Sequence, residues 1–155
     1  MSPGKHGPNR LRGYLATHNT IMQQLLRGAF VTSEDLVLEP DGAGGYFIEG
    51  CIYCLGDIYI DVSKHIARIG GEGGNPLVQT IGYRYNVAVK GRGNIFRYDS
   101  PHPDHNQDHH LHQYDVLNGD QDGTVEFIYS EDEIPTLQEV ILKAEDWYHA
   151  NHERL

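Results

Sequence analysis

Apolar positions recur with helical spacing near both ends of the chain and at every second position between them. Over residues 11–27, Leu11, Leu15, Ile21, Met22, Leu25 and Leu26 fall near one stripe with His18 among them, and Gly28 follows. That pattern predicts an amphipathic helix closed by a glycine. Thr17, Asn19 and Thr20 are weak helix formers, so the competing expectation is a shorter helix capped by Asn19. At the other end, Thr136 and Glu139 make a capping box just after Pro135. Leu137, Val140, Ile141, Ala144, Trp147 and Tyr148 then share one helical face.

The middle of the chain alternates with period two. Strands are predicted over 30–38, 46–55, 57–62, 78–90, 94–99 and 124–129, separated by the glycine-rich turns 40–45 and 70–76. Residues 65–69 either extend the third strand or pair back on it. In 78–90, Ile81, Tyr83, Tyr85, Val87 and Val89 form an apolar face, and Arg84, Asn86 and Lys90 lie on the other. This strand and 94–99 read as a hairpin. A four-residue loop pairs Val89 with Asn94, Val87 with Phe96 and Tyr85 with Tyr98, so the aromatics share the core side. A three-residue loop would put Arg97 on the apolar face, and burial therefore favours the longer one. Arg84 then faces Asp99 and Asn86 faces Arg97, with the two arginines diagonal neighbours about 7 Å apart.

Residues 1–10 read as a disordered tail and 100–122 as irregular. Consecutive strands joined by short turns imply one α+β domain over 11–155, an antiparallel sheet of about five to six strands flanked by an N-terminal and a C-terminal helix. The length, 155 residues, is enough for one core without staples. Ten tyrosines, four phenylalanines and 18 glycines shift the balance from helix toward sheet and turn.

A net charge of −10 argues against nucleic acid binding through the whole surface and restricts any such contact to a local patch. Cys51 and Cys54 form a lone C-x-x-C, too few ligands for a tetrahedral zinc site and on opposite faces of a strand. They read as buried or half-buried thiols. Residues 1–12 are polar and carry no apolar run, and no stretch approaches a membrane span. A cytoplasmic protein without membrane contact is the expectation.

Two local features carry chemistry. From Ile81 to Tyr98 there are four basic residues, Arg84, Lys90, Arg92 and Arg97, and no acidic one. Guanidinium forks match phosphate oxygens, so this is either a phosphate-binding face or a solvated strand with Arg84 tied to Asp99. His102, His105, His109, His110 and His112 then place five of the ten histidines within eleven residues. Imidazole moves protons near neutral pH and also binds metals; His110-x-His112, His109-x-x-His112 and the carboxylates Asp99, Asp104 and Asp108 are the available ligands. The plainer alternative is a polar loop.

At these residues the chain resembles the TumE-type toxin family of bacterial and archaeal toxin–antitoxin systems. The likeness runs over roughly residues 46–150. It is carried by Tyr83-Arg84-Tyr85, Phe96-Arg97-Tyr98-Asp99, Pro101-His102 and His110-Leu111-His112. Leu111 stands where the family pattern has Lys. The resemblance implies a small toxin neutralised by a cognate antitoxin, often a helix-turn-helix protein. By analogy with such toxins it implies metal-independent cleavage of RNA. Arg84 and Arg97 would then bind the scissile phosphate, and His102 and His112 would act as base and acid. Asp99 would orient Arg84 or a histidine, and Tyr85 or Tyr98 would stack or donate. Lys90, Arg92 and His110 would add substrate contacts. No cofactor is required in this scheme. The alternative is a metal- or protein-binding module with no turnover, its ligands drawn from the cluster between His102 and His112.

Overall fold

The computed structural model describes residues 6–71, 73–100, 109–128 and 133–155. Helix α1 (Leu11–Arg27) is continuous through Asn19, with no cap there, and it ends at Gly28. Its start has no side-chain cap; instead the Leu11 amide donates to the Pro76 carbonyl at 2.9 Å, which satisfies one of the open amides of the first turn. Helix α2 (Leu137–Asn151) begins as the capping box requires. The Glu139 amide donates to Thr136 Oγ1, and the Thr136 hydroxyl donates to the Glu139 carboxylate, both at 3.2 Å.

Between the helices the chain forms one antiparallel sheet of nine strands among the described residues. They are β1 (Asn9–Arg10), β2 (Val31–Glu34), β3 (Val37–Pro40), β4 (Tyr46–Cys54), β5 (Ile58–Gly70), β6 (Leu77–Val89), β7 (Gly93–Asp99), β8 (His109–Gln113) and β9 (Thr124–Ile128). The order across the sheet is β2, β4, β5, β6, β7, β8, β9, with β3 also on β4 and β1 on β6. The α+β class and the two flanking helices are as expected, but there are more strands than five or six. Each surplus strand has a local cause.

One comes from a break in the first predicted strand. The Asp35 amide donates to the Cys51 carbonyl, and the Asp35 carboxylate accepts the Cys51 amide at 2.5 Å. A side chain thus replaces a ladder partner, and β2 and β3 bend around it. Gly50, opposite, sits at φ +142°, where only glycine is at ease. A second comes from the predicted tail. Strand β7 covers β6 only over Arg84–Val89, which leaves the first part of that edge open. Asn9 and Arg10 pair with Val78 and Leu77 there, and the Thr80 amide donates to the His6 carbonyl. Asn9 and Arg10 are therefore part of the sheet, His6 is tied to it, and only 1–5 of the expected tail lie outside the described residues. The third is β8, inside the segment read as irregular.

Residues 65–69 extend β5. Two further departures concern register. Opposite the junction of His65 and Ile66, β6 carries an extra residue, since His65 pairs with Gly82 and Ile66 with Thr80. The alternation slips by one at this bulge. Val78 and Tyr83 both face inward, and Ile81, expected on the apolar face, is 56% exposed. The hairpin between β6 and β7 closes through three residues, 90–92, with Val89 opposite Gly93 and Ala88 opposite Asn94. A second bulge at Ile95 then restores the pairing of Val87 with Phe96, Tyr85 with Tyr98, Asn86 with Arg97 and Arg84 with Asp99. Burial thus keeps Arg97 off the apolar face, as argued from sequence, but through a bulge instead of a longer loop.

Both helices pack on one side of the sheet. Ile52, Ile60, Val62, Tyr85, Val87, Phe96 and Leu111 meet Met22 of α1 and Val140, Ile141 and Ala144 of α2. Each such fully buried aliphatic side chain contributes about 1.5–3 kcal/mol. A second, smaller cluster joins Leu11, Ile48, Ile66 and Val78. Cys54 is buried and Cys51 half-buried, both as free thiols. Burial, with the Glu145 charge behind it, pushes the Cys54 thiol up to about 12. Among the described residues no helix is long and apolar enough to cross a membrane.

Candidate functional site

The face of the sheet turned away from the helices carries two transverse rows of side chains. Arg84, Asp99, His110 and Phe127 stand side by side on β6, β7, β8 and β9, and Asn86, Arg97, His112 and Val125 form the next row. Alternation along each strand puts residues two apart on the same face, so Arg97 with Asp99 and His110 with His112 are brought together by strand geometry alone. Neighbouring strands supply the cross-strand contacts.

Asp99 is the hub. It is 2% exposed, and its Oδ2 accepts Arg97 Nε at 2.8 Å while His110 Nε2 and His112 Nε2 each lie 3.3 Å away. A carboxylate so far from water requires cationic or donor partners, and Arg97 and His110 stand in position to provide them. Arg97 Nη2 also lies 3.1 Å from His112 Nε2. A guanidinium only donates, so His112 Nε2 accepts and the proton of the neutral ring is on Nδ1. Nε2 cannot then donate to Asp99 as well, so its 3.3 Å approach to the carboxylate is a contact and not a hydrogen bond. Burial holds the His112 imidazole below its ordinary value, and the Arg97 charge adds to this, with Asp99 opposing and His110 reinforcing. The His110 and His112 rings meet edge to face at 4.9 Å between centroids.

The residues singled out from sequence divide clearly. Arg97, Asp99, His110 and His112 form one cluster. Arg84 is exposed beside it, opposite Asp99, yet makes no ion pair with that carboxylate; Asp99 is taken up by Arg97 and the imidazoles. Lys90 and Arg92 lie at the hairpin tip, about 17 Å along the strands from Arg84 and Arg97, too far to act at the same phosphate. Tyr85 is 1% exposed beneath the helices, so it cannot stack on a substrate. Tyr98 is on that same inner face, where its hydroxyl accepts from Lys143 Nζ at 3.1 Å. His102, with His105, Asp104 and Asp108, lies outside the described residues. His109 points to the inner face and shares a 2.8 Å hydrogen bond with the Tyr83 hydroxyl.

The meeting of His110 and His112 at the carboxylate is what a strand at 109–113 produces. The sequence signal for it was the His-x-His spacing, legible only once that segment is read as extended. Asn86, which the sequence placed opposite Arg97 but not among the site residues, belongs to this row. It is 9% exposed, donates to Asn94 Oδ1 at 3.0 Å, and its Oδ1 has no partner among the described residues.

Asp99, His110 and His112 also offer three ligand atoms within 4.8 Å of one another. The two separations of 3.3 Å match the edge of a tetrahedron of ligands about 2.0–2.1 Å from a zinc ion. Among the described residues this grouping includes neither cysteine. The Arg97 guanidinium beside it works against a dication by charge repulsion. Comparisons of the chain with protein-family models, with curated proteins and with solved structures found no match.

Proposed function

We propose that this chain is an RNA-cleaving toxin of the TumE type, acting without a metal through Arg97, Asp99, His110 and His112 and neutralised by a cognate antitoxin of helix-turn-helix kind. The observation that carries this is the buried Asp99 carboxylate, which gathers one guanidinium and two imidazoles on a single face with Arg84 exposed beside them. Metal-independent cleavage of RNA needs a base, an acid and a cation on the phosphate, and that set is present. Arg97 turns its Nη2 from His112 Nε2 to the phosphate, and neutral His112 then takes the proton of a ribose 2′-hydroxyl at that nitrogen. The 2′-oxygen bonds to phosphorus, the bond from phosphorus to the 5′-oxygen breaks, and the leaving oxygen takes a proton from His110 in its imidazolium form, which becomes the neutral ring. Asp99 stabilises the imidazolium form of its neighbours, and Arg84 and Arg97 hold the non-bridging oxygens. The products are a 2′,3′-cyclic phosphate and a free 5′-hydroxyl.

A second reading is favoured by the two 3.3 Å separations, which suit a transition-metal site in a binding module with no turnover. One experiment addresses both. The chain is expressed from a tightly repressed promoter, wild type beside His112→Ala and Arg97→Ala, and growth and total RNA are followed. Purified protein without a His tag is assayed for RNA cleavage in excess chelator and for bound metal. Growth arrest with RNA fragmentation, lost in both variants and insensitive to chelator, supports the ribonuclease toxin. Intact RNA and normal growth with folded protein carrying stoichiometric zinc or nickel would favour the binding module.

A further inference from the structure

The helix-covered face has an anomaly of its own. Along β5, Ile60, Val62 and Ile66 point into the core and are at most 1% exposed, and Lys64 occupies the same alternation between them. The core is split at this position. The larger cluster ends at Val62, Tyr83, Met22 and Leu137, and the smaller one begins at Ile66, Leu11 and Tyr14. Between them α1, β5 and the first turn of α2 leave a cleft of about 400 Å³.

The charge of this cleft is opposite to that of the chain. Arg10, Lys64 and His18 line it, and among the described residues no Asp or Glu does, in a protein of net charge −10. Lys64 Nζ lies 4.9 Å from the centre of the Tyr14 ring and makes no ion pair among the described residues. Burial, and then the Lys64 charge, hold the His18 imidazole below its ordinary value, so the neutral ring sits in the field of Lys64 and the cleft's charge comes from Lys64 and Arg10. Glu34, whose charge also reaches His18, accepts the Leu36 amide at 2.6 Å and does not line the cleft. Thr136, Leu137 and Gln138 bring the first turn of α2 to the wall, where the helix dipole favours an anion although Thr136 already takes the Glu139 amide. Ile21, Met22 and the Tyr14 ring make the remaining wall apolar.

From these features we infer that the cleft binds a small phosphate monoester with an aromatic body, its phosphate on Lys64, Arg10 and the start of α2 and its ring against Tyr14 and Met22. A dianion is matched by cations and amides converging from three elements. A bare phosphate would leave most of the volume empty, whereas sites of this size suit a ligand with an apolar portion. The cleft lies on the opposite face from Asp99, so this inference stands apart from the proposed ribonuclease activity.

The test uses the full chain and two-dimensional amide NMR, titrated with phenyl phosphate, inorganic phosphate and phenol. Phenyl phosphate should give saturable shifts at His18, Leu137 and Gln138 and bind roughly tenfold more tightly than inorganic phosphate or phenol. Lys64→Met should weaken it by roughly tenfold or more. Gln138→Glu supplies an independent check, because an acid in the first turn favours the helix yet repels the ligand. It should weaken phenyl phosphate binding while leaving thermal stability equal or higher. Shifts that do not saturate, equal binding of phenol or inorganic phosphate, or unchanged affinity in folded Gln138→Glu protein would overturn the inference.

Discussion

Replacing Asp99 by Asn tests the organisation of the site without requiring any activity. The asparagine keeps the size and one acceptor oxygen but removes the charge that holds Arg97, His110 and His112. Removing one partner from a buried ion pair costs about 3–5 kcal/mol when the other charge stays buried. Here the Asp99 side chain is 3% exposed but that of Arg97 is 26% exposed, so water can partly reclaim the guanidinium. The expected loss is therefore at the lower end, about 2–3 kcal/mol. For a chain of this length it corresponds to a fall of about 6–9 °C in Tm. Urea unfolding followed by the fluorescence of Trp147 would measure it, in chelator so that no metal contributes. The double variant Asp99→Asn with Arg97→Met separates the pair from its surroundings. It should be less destabilised than the sum of the single changes, by about 1–2 kcal/mol. A loss under about 0.5 kcal/mol for Asp99→Asn, or strict additivity, would refute the view of Asp99 as a charged hub.

Other consequences follow from the same coordinates. At Gly50, φ is +142° and an added Cβ would lie 2.7 Å from the Asp35 carbonyl oxygen and 2.9 Å from Leu36 Cα. Gly50→Ala should therefore lower the urea midpoint by an amount equivalent to about 2–4 kcal/mol, through backbone strain at the break between β2 and β3. His18 and His112 both have folded values depressed below 6.5, chiefly by burial. The folded state then binds fewer protons than the unfolded one, and stability rises with pH. Their contribution is complete above 6.5 and declines as pH falls through that value toward the folded ones. Urea midpoints near neutral pH and about one unit below the ordinary imidazole value should differ less in His18→Gln than in wild type. If ribonuclease activity is found, the same depression of His112 predicts that its base form persists below the ordinary imidazole range, so the acid limb of the pH–rate profile should fall below 6.5.

Sequence alone decided the elements whose cause is local. The Thr136–Glu139 capping box and the stripe of Leu137, Val140, Ile141 and Ala144 are contained within one helix, and α2 starts where they place it. The pairing of Tyr85 with Tyr98 and of Arg84 with Asp99 was legible because a single-residue slip would have carried charge into the core. Tertiary structure decided what depends on partners remote in the chain. The bulges at Ile81 and Ile95 cannot be seen in an alternating pattern that runs on through them; each is imposed by the neighbouring strand. Residues 9–10 pair because β7 stops short and leaves an edge of β6 open. His110 reaches Asp99 only because β7 supplies a ladder for a polar segment with little strand propensity of its own. Lys64, one basic residue in an alternating run, becomes unusual only when α1 and α2 close over the face on which it stands.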